Sequence, residues 1–245
     1  MKTENPQGIS IVLPCYNPLP GWCGTLHACA QELDQKLPGL SIEYIVSNDG
    51  STRLDPCEVA ELSRIPNLVF LNNAVNEGKG SAIRKGTLKA QREIIVYTDI
   101  DFPFGTDPIV EMVRIFENSP DCWFVYGNRS AEYFRKLPWK RRLFSRGLQL
   151  MNRLFLSKHI TDTQAGIKGL RREILPEVQR TKTNTFVFEV ELIRKLARKG
   201  IGIQKVEVSA GTSIVFSDFS MKVLFREAVN FVKITILSGI WNDLS

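Results

Sequence analysis

The sequence predicts an α/β sandwich, a mostly parallel sheet with helices on both faces. Five short runs rich in β-branched and aromatic residues recur along the chain: GISIVLPCYN (8–17), SIEYIVSNDGS (41–51), NLVFLNN (67–73), EIIVYTDID (93–101) and CWFVYGNRS (122–130), with helical patterns between them. Their apolar stretches are near-continuous rather than alternating, as expected of strands buried on both faces. The runs also end in polar residues, at Tyr16-Asn17, Asn48-Asp49, Asp99 to Asp101, and Asn128-Arg129. In such sheets ligands bind beyond the carboxyl ends of the strands. Four strand ends are therefore expected to converge on one crevice.

In chain order, the first run closes on Pro14, Tyr16 and Asn17, and the second on the turn NDGS around Asp49. After the third run comes NEGKGSAIRKGTLKAQ (76–91), where glycines precede a helical pattern marked by Ala82, Ile83, Leu88 and Ala90. Glycines entering a helix let backbone N–H groups approach an anion at the positive end of the macrodipole, and Lys79 adds a point charge there. The spacing is neither a P-loop nor GxGxxG, and a solvent-exposed helix start fits it equally. The fourth run ends in two aspartates, Asp99 and Asp101, behind the most buried strand of the chain. Like charges so close repel, and a solvated turn, a helix cap or a divalent cation could each offset the repulsion. Capping is already served by Asp107-Pro108 at the start of TDPIVEMVRIFEN (106–118), which leaves the solvated turn and the cation.

After residue 135 the character changes. Residues 136–158, KLPWKRRLFSRGLQLMNRLFLSK, hold seven Lys/Arg and no acidic residue, interleaved with Trp139, Leu143, Phe144, Leu148, Met151, Leu154 and Phe155. This composition suits a basic amphipathic helix (near 139–158) in a membrane interface, or one packing its apolar side on the sheet. MKVLFREAVNFVKITILSGIW (221–241) carries the same ambiguity. The expected organisation is one α/β domain over 1–220 and a C-terminal amphipathic helix within 221–245.

Composition narrows the class. A chain of 245 residues, 43% hydrophobic and 24% charged, is ordinary for one globular domain, and a net charge of +6 suits an anionic partner. Nucleic acid is the least favoured such partner, because the positive charge is clustered beside apolar residues and the aromatics lack a regular stacking platform. The five cysteines are odd in number and form no CxxC pair, which reads as reduced and intracellular. Cys23 and His27, four apart, lack a second pair of metal ligands. The polar N-terminus has no signal-peptide core, and no stretch approaches the roughly 20 apolar residues of a membrane span. A peripheral position on the cytoplasmic face of a membrane is the expectation.

Taken in order, IVLPCYN, YIVSNDGS, NEGKGSAIRKG, YTDID, YGNRS, RRLFSRG and TDTQAGIKGLRR resemble the inverting family 2 glycosyltransferases of the Rossmann-like GT-A fold. The resemblance, over roughly residues 8–210, is to the polyprenyl- or dolichyl-phosphate mannosyl- and glucosyltransferases. It implies a hexosyltransferase that takes a UDP- or GDP-hexose as donor and a polyprenyl phosphate as acceptor, at an anionic membrane surface. It also implies a DxD motif at Asp99 and Asp101 holding Mg²⁺ or Mn²⁺ against the donor diphosphate. Pro14, Tyr16, Asp49 and Lys79 match donor-side positions. Arg129, Arg141 and Ser145 match positions near the acceptor phosphate, where a guanidinium can bind two oxygens at once. Asp162 and Gln164, in the DTQxGxK-like segment, face the sugar or the acceptor.

Three positions depart from the family pattern. Asn48 stands where Asp is usual, Pro18 where Glu commonly follows the asparagine, and Pro103 where many mannosyltransferases carry a metal-holding Gln. The last separates this chain from a close copy of the mannosyl enzyme. An acceptor that arrives ionised needs little general-base help, consistent with a chain whose only histidines are His27 and His159. Two alternatives compete: a family 2 transferase for a polysaccharide or soluble acceptor, which would need a carboxylate base, and a non-catalytic nucleotide-sugar or lipid-head-group binder. Relatives often carry transmembrane helices or work beside a membrane subunit, which leaves room for such a partner here.

Overall fold

Strands and helices alternate along the computed structural model, which describes residues 7–130, 165–185 and 188–209. The strands are β1 (Gly8–Cys15), β2 (Ser41–Asp49), β3 (Leu68–Asn73), β4 (Ile94–Tyr97), β5 (Phe124–Arg129), β6 (Lys168–Arg171) and β7 (Ile203–Val208). The helices are α1 (Trp22–Lys36), α2 (Pro56–Glu61), α3 (Lys79–Lys89), α4 (Asp107–Asn118), α5 (Leu175–Gln179) and α6 (Phe188–Arg198). The expected helices at 139–158 and 221–241 lie outside the described residues, as do Arg141, Ser145, Asp162 and Gln164.

All seven strands form one sheet in the order β3-β2-β1-β4-β6-β5-β7. β3, β2, β1 and β4 run parallel, β6 is antiparallel to both its neighbours, and β5 and β7 run parallel to each other. The five expected strands are therefore present, joined by β6 and β7.

The period-two geometry of a strand sorts the core into two layers. Ile9, Ile11 and Leu13 of β1, Ile42, Tyr44 and Val46 of β2, and Ile94 and Val96 of β4 face one cluster, with Leu26 and Leu33 of α1 and Ile109, Met112, Val113 and Phe116 of α4. Val12, Ile45, Ile95, Tyr97, Phe124 and Tyr126 face the other, with Ile83 of α3, Val178 of α5, and Phe188, Leu192 and Leu196 of α6. In α4 the buried positions fall three and four apart, the stripe of an amphipathic helix. Burial on both faces explains why these strands read as continuous apolar runs.

Two local details differ from expectation. α3 buries Gly80, Ser81, Ala82, Ile83, Gly86 and Thr87, whereas Leu88 is 61% exposed. Small residues let the helix lie close to the sheet: a Cβ on Gly86 would stand 2.4 Å from Val12 Cγ1. At the start of α4, Thr106 makes no side-chain cap. Asp107 instead binds Lys36 Nζ at 2.6 Å, tying α4 to the end of α1.

Candidate active site

β1 lies between β2 and β4, so chain direction across the sheet reverses there and opens a crevice beyond the carboxyl ends of the strands. Asp99 and Asp101 follow β4 directly at this point. The chain turns at once: Phe102 N–H donates to Asp99 O at 3.0 Å. Phe102 adopts φ 45°, an unusual conformation for a bulky residue, with its side chain only 5% exposed. Burial of this ring in the layer shared with α4 anchors the turn and leaves Asp101 facing solvent.

Asp99 has a neighbour on each side while its side chain stays 40% exposed. Oδ1 accepts from Lys79 Nζ at 2.6 Å. On the other side lies Gly166, where an added Cβ would stand 2.2 Å from Oδ2. Partial desolvation and the adjacent Asp99 carboxylate raise the pKa of Asp101, against smaller opposing effects from its own backbone N–H and from Lys79. For Lys79, burial pulls the ammonium down, but Asp99, Glu189 and Asp101 outweigh it and hold its pKa above the ordinary lysine value. Two close carboxylates, one open to solvent, form an oxygen donor set deficient in positive charge. That chemistry fits a hard divalent cation.

Asp49, at the end of β2, is 3% exposed. Its carboxylate accepts from Glu77 N–H at 3.0 Å and Gly78 N–H at 2.7 Å. The N–H of Gly80 donates to Asn184 O at 2.8 Å. The glycine-rich start of α3 thus directs these three N–H groups to protein acceptors, and the anion it receives is the chain's own Asp49. Gly78 has φ +104°, and a Cβ there would lie 2.5 Å from Asn184 O. Its glycine serves close backbone approach rather than a phosphate cradle. Lys79, expected as a point charge for an anion at this helix start, has its ammonium on Asp99.

Asn17 knits β1 to the NDGS turn. Its N–H donates to Ser51 Oγ at 2.7 Å, and its Oδ1 accepts from Thr52 N–H at 2.9 Å and Arg53 N–H at 3.1 Å. Beside it, Pro14 is half-buried and in register with Ser47, while Tyr16 is 52% exposed at the mouth of the crevice. Asn48 is 1% exposed and uses both ends of its amide: Nδ2 donates to Asn72 Oδ1 at 2.7 Å and Oδ1 accepts from Ser51 N–H at 3.2 Å. An ionised aspartate could not donate the first bond. Cys15, the thiol nearest this edge, is pushed up to about 12 by burial and is no nucleophile near neutrality.

Arg129 ends β5 and is half-buried. Two strand spacings, roughly 10 Å, separate β5 from β4, with β6 between them. β6 runs the opposite way, so its first residue, Lys168, pairs with both Tyr97 and Tyr126 at the carboxyl edge. Of the expected site residues, the structure brings Asp99 and Lys79 into contact, with Asp101 beside them. It sets Pro14, Tyr16 and Asp49 on the β1–β2 side and Arg129 on the β5 side. Three residues of this edge were not among the expected site residues: Gly166 against Asp99, and the buried pair Lys168–Glu189; Gly166 and Lys168 are the glycine and lysine of the DTQxGxK-like segment, the signal that points to them. Glu189 lies in a run, FEVELIRKLAR, that reads as an ordinary amphipathic helix and carries no such signal.

The glycosyl transferase family 2 profile matches residues 10–179. A dolichyl-phosphate beta-glucosyltransferase of Trichomonas vaginalis is 25% identical over 243 residues, 95% of this chain and 75% of that protein. The corresponding enzyme of Dictyostelium discoideum is 25% identical over 95% of this chain and 76% of its own. A dolichol-phosphate mannosyltransferase of Pyrococcus furiosus is 25% identical over 70% of this chain, which spans 48% of that protein. Among solved structures, glucosyl-3-phosphoglycerate synthase from Mycobacterium tuberculosis, in complex with Mn²⁺, UDP-glucose and phosphoglyceric acid, superposes with a TM-score of 0.69 at 20% identity. That match covers 95% of this chain and 79% of the other, and it shows the shared GT-A fold. With the profile spanning most of the sheet and both aspartates at its carboxyl edge, the chain belongs to glycosyl transferase family 2.

Proposed function

We propose that this glycosyltransferase moves a hexose from a nucleotide-diphosphate sugar to a polyprenyl phosphate of the dolichyl type, with inversion. The observation that carries the reading is the cationic and anionic array at the switch point, Lys79 on Asp99 with Asp101 open to solvent. It is supported by relatives named as dolichyl-phosphate sugar transferases. An ionised acceptor oxygen attacks the anomeric carbon while the bond from that carbon to the donor diphosphate breaks. No proton has to be removed from the acceptor, so the chain's contribution is placement and charge.

Asp99 and Asp101 would hold Mg²⁺ or Mn²⁺, which when bound supplies charge that stabilises the departing diphosphate. Lys79 orients the Asp99 carboxylate. Tyr16 and Pro14 border the donor base, and Asp49 fixes the turn from which Lys79 projects. Arg129 takes the acceptor phosphate from the β5 side, joined by Arg141 and Ser145. Asp162 and Gln164 act on the sugar or acceptor, in keeping with the placement of Gly166, two positions after Gln164, against Asp99. The reaction takes place on the cytoplasmic face of an anionic membrane, where the basic segment 136–158 and the terminal segment 221–245 dock beside the lipid or a separate membrane subunit. Among the described residues, no helix is long and apolar enough to cross a membrane.

The test is a panel of UDP- and GDP-hexoses with Mg²⁺ or Mn²⁺, assayed for transfer to a short polyprenyl phosphate and to the matching neutral polyprenol. Transfer to the phosphate alone is expected. Equal transfer to both would redirect the reading to an enzyme with a carboxylate base and a hydroxyl acceptor. Asp101→Asn keeps shape and loses charge, so a fall in rate on the order of 10²–10³ is expected. Wild-type turnover by that variant in metal-free buffer would overturn the cation's role.

A further inference from the structure

Behind the aspartate pair lies a second ionic pair that the reaction does not touch. Lys168 is 0% exposed and Glu189 is 5% exposed. Lys168 Nζ donates to Glu189 Oε2 and to the backbone carbonyl of Ala165. The other carboxylate oxygen, Glu189 Oε1, is buried without a hydrogen-bond partner, as is the hydroxyl of Tyr97, two residues before Asp99. The Tyr97 ring packs on Phe188 at 6.3 Å between centroids.

As a stabilising device this is poor. A buried ion pair rarely repays its desolvation, and a half-satisfied carboxylate adds a further penalty. What the pair does is fix backbone. Ala165 O accepts from Lys168 Nζ and, at 2.8 Å, from Ile167 N–H, closing a tight turn. The next residue of that turn is Gly166, against which Asp99 Oδ2 rests. Asp99 Oδ2 thus rests against a turn that the buried pair holds in place.

We propose that Glu189, anchored by Lys168, is a positioning residue that sets the orientation of the Asp99 carboxylate and thereby the affinity of the aspartate pair for its cation. This rests on the reading that Asp99 and Asp101 hold a divalent ion. In the full chain, Glu189→Gln keeps shape, removes the charge and leaves Lys168 buried against a neutral amide. Glu189→Asp keeps the charge on a side chain one methylene shorter.

Mn²⁺ binding measured without substrates, by the electron paramagnetic resonance signal of the free ion, is expected to weaken about tenfold or more in Glu189→Gln, and the Asp variant should recover much of that loss. A merely structural role would instead lower the melting temperature of both variants while leaving Mn²⁺ affinity unchanged below it. Should Glu189→Gln fail to fold, the double replacement Lys168→Met with Glu189→Met removes both charges without stranding either. It should fold and still bind Mn²⁺ weakly. A folded double variant with wild-type affinity overturns the inference alone, whereas a wild-type protein that binds no Mn²⁺ overturns the two-aspartate cation site as well.

Discussion

At residue 166 there is no room for a side chain, yet what fills the space is the end of an aspartate rather than rigid backbone. A methyl group added at Gly166 meets Asp99 Oδ2 at 2.2 Å, and the cheapest relief is rotation of the Asp99 side chain. Gly166→Ala should therefore leave the melting temperature within a few degrees of wild type and cut sugar transfer by at least an order of magnitude, because the aspartate leaves its geometry with Lys79. Comparable activity in the two proteins would show that the Asp99 orientation seen here is not the working one. Gly78 offers the contrast. It has φ +104°, and the obstacle is Asn184 backbone at 2.5 Å, so substitution there strains the fold itself. The two glycines look alike in sequence, and only the identity of the neighbouring atom tells them apart.

Between α5 and α6 the chain crosses the start of α3 on a segment held mainly by charge. Glu191 accepts from Lys182 N–H at 3.0 and 3.1 Å and from Thr183 N–H at 2.9 Å, while Lys195 Nζ binds it at 2.8 Å. From the other side, Arg84 donates to Thr181 Oγ1 at 3.1 Å and Thr183 O at 2.9 Å. Burial works against the Glu191 carboxylate, but the bonds from Lys195, Thr183 and Lys182 outweigh it and lower its pKa. Glu177 is lowered chiefly by Lys199. A depressed carboxylate contributes stability that is present above its unfolded value, here 4.5, and lost as pH falls through the folded value. Thermal midpoints should hold steady down to about pH 5 and fall below it. Glu191→Gln should lower the midpoint at neutral pH and make the acid decline shallower; an unchanged acid slope would assign that loss to other groups.

The same region shows where the sequence was readable. β1, β2, β4 and β5 were legible because burial on two faces demands continuous apolar runs, β3 showed as an apolar run at the sheet edge although it is only partly buried, and the DID pair stood out because nothing local explained its charge. β6 was not, since Lys168–Arg171 is only four residues long with a charge at each end, and those charges are buried by partners distant in sequence. Lys168 finds Glu189, and Arg171 reaches the carbonyls of Cys122 and Phe116. β7, with the sequence IQKVEV, alternates as an edge strand does, without the continuous apolar signal. Glycines 78 and 80 fit either an anion cradle or a plain helix start in sequence, because any helix start supplies N–H groups. Their protein acceptors come from Asp49 and Asn184, which no local spacing announces.

Over the whole molecule, the net charge of +6 is not evenly spread. Residues 136–158 alone contribute seven basic side chains and no acid, so the rest of the chain is close to neutral. The described domain bears this out in kind: its lysines and arginines are largely engaged, as in Lys36 with Glu32 and Asp107, Lys85 with Glu77, and Lys199 with Glu177. Attraction to an anionic surface should then depend on one short stretch and be sensitive to salt, since exposed charges are screened beyond about 8 Å at physiological ionic strength. The protein is expected to sediment with phosphatidylserine-containing vesicles at low salt, and to release as salt rises. Replacing Lys140, Arg141 and Arg142 by Gln should weaken that binding by about 1 kcal/mol per residue, or roughly a hundredfold together. The variant should retain hydrolysis of the soluble donor, because the Asp99–Lys79 centre is built from β4 and α3. Salt-independent binding would mean that apolar insertion dominates. Failure to bind at low salt would reassign the basic stretch to packing within the protein and leave delivery of the lipid acceptor to a partner subunit.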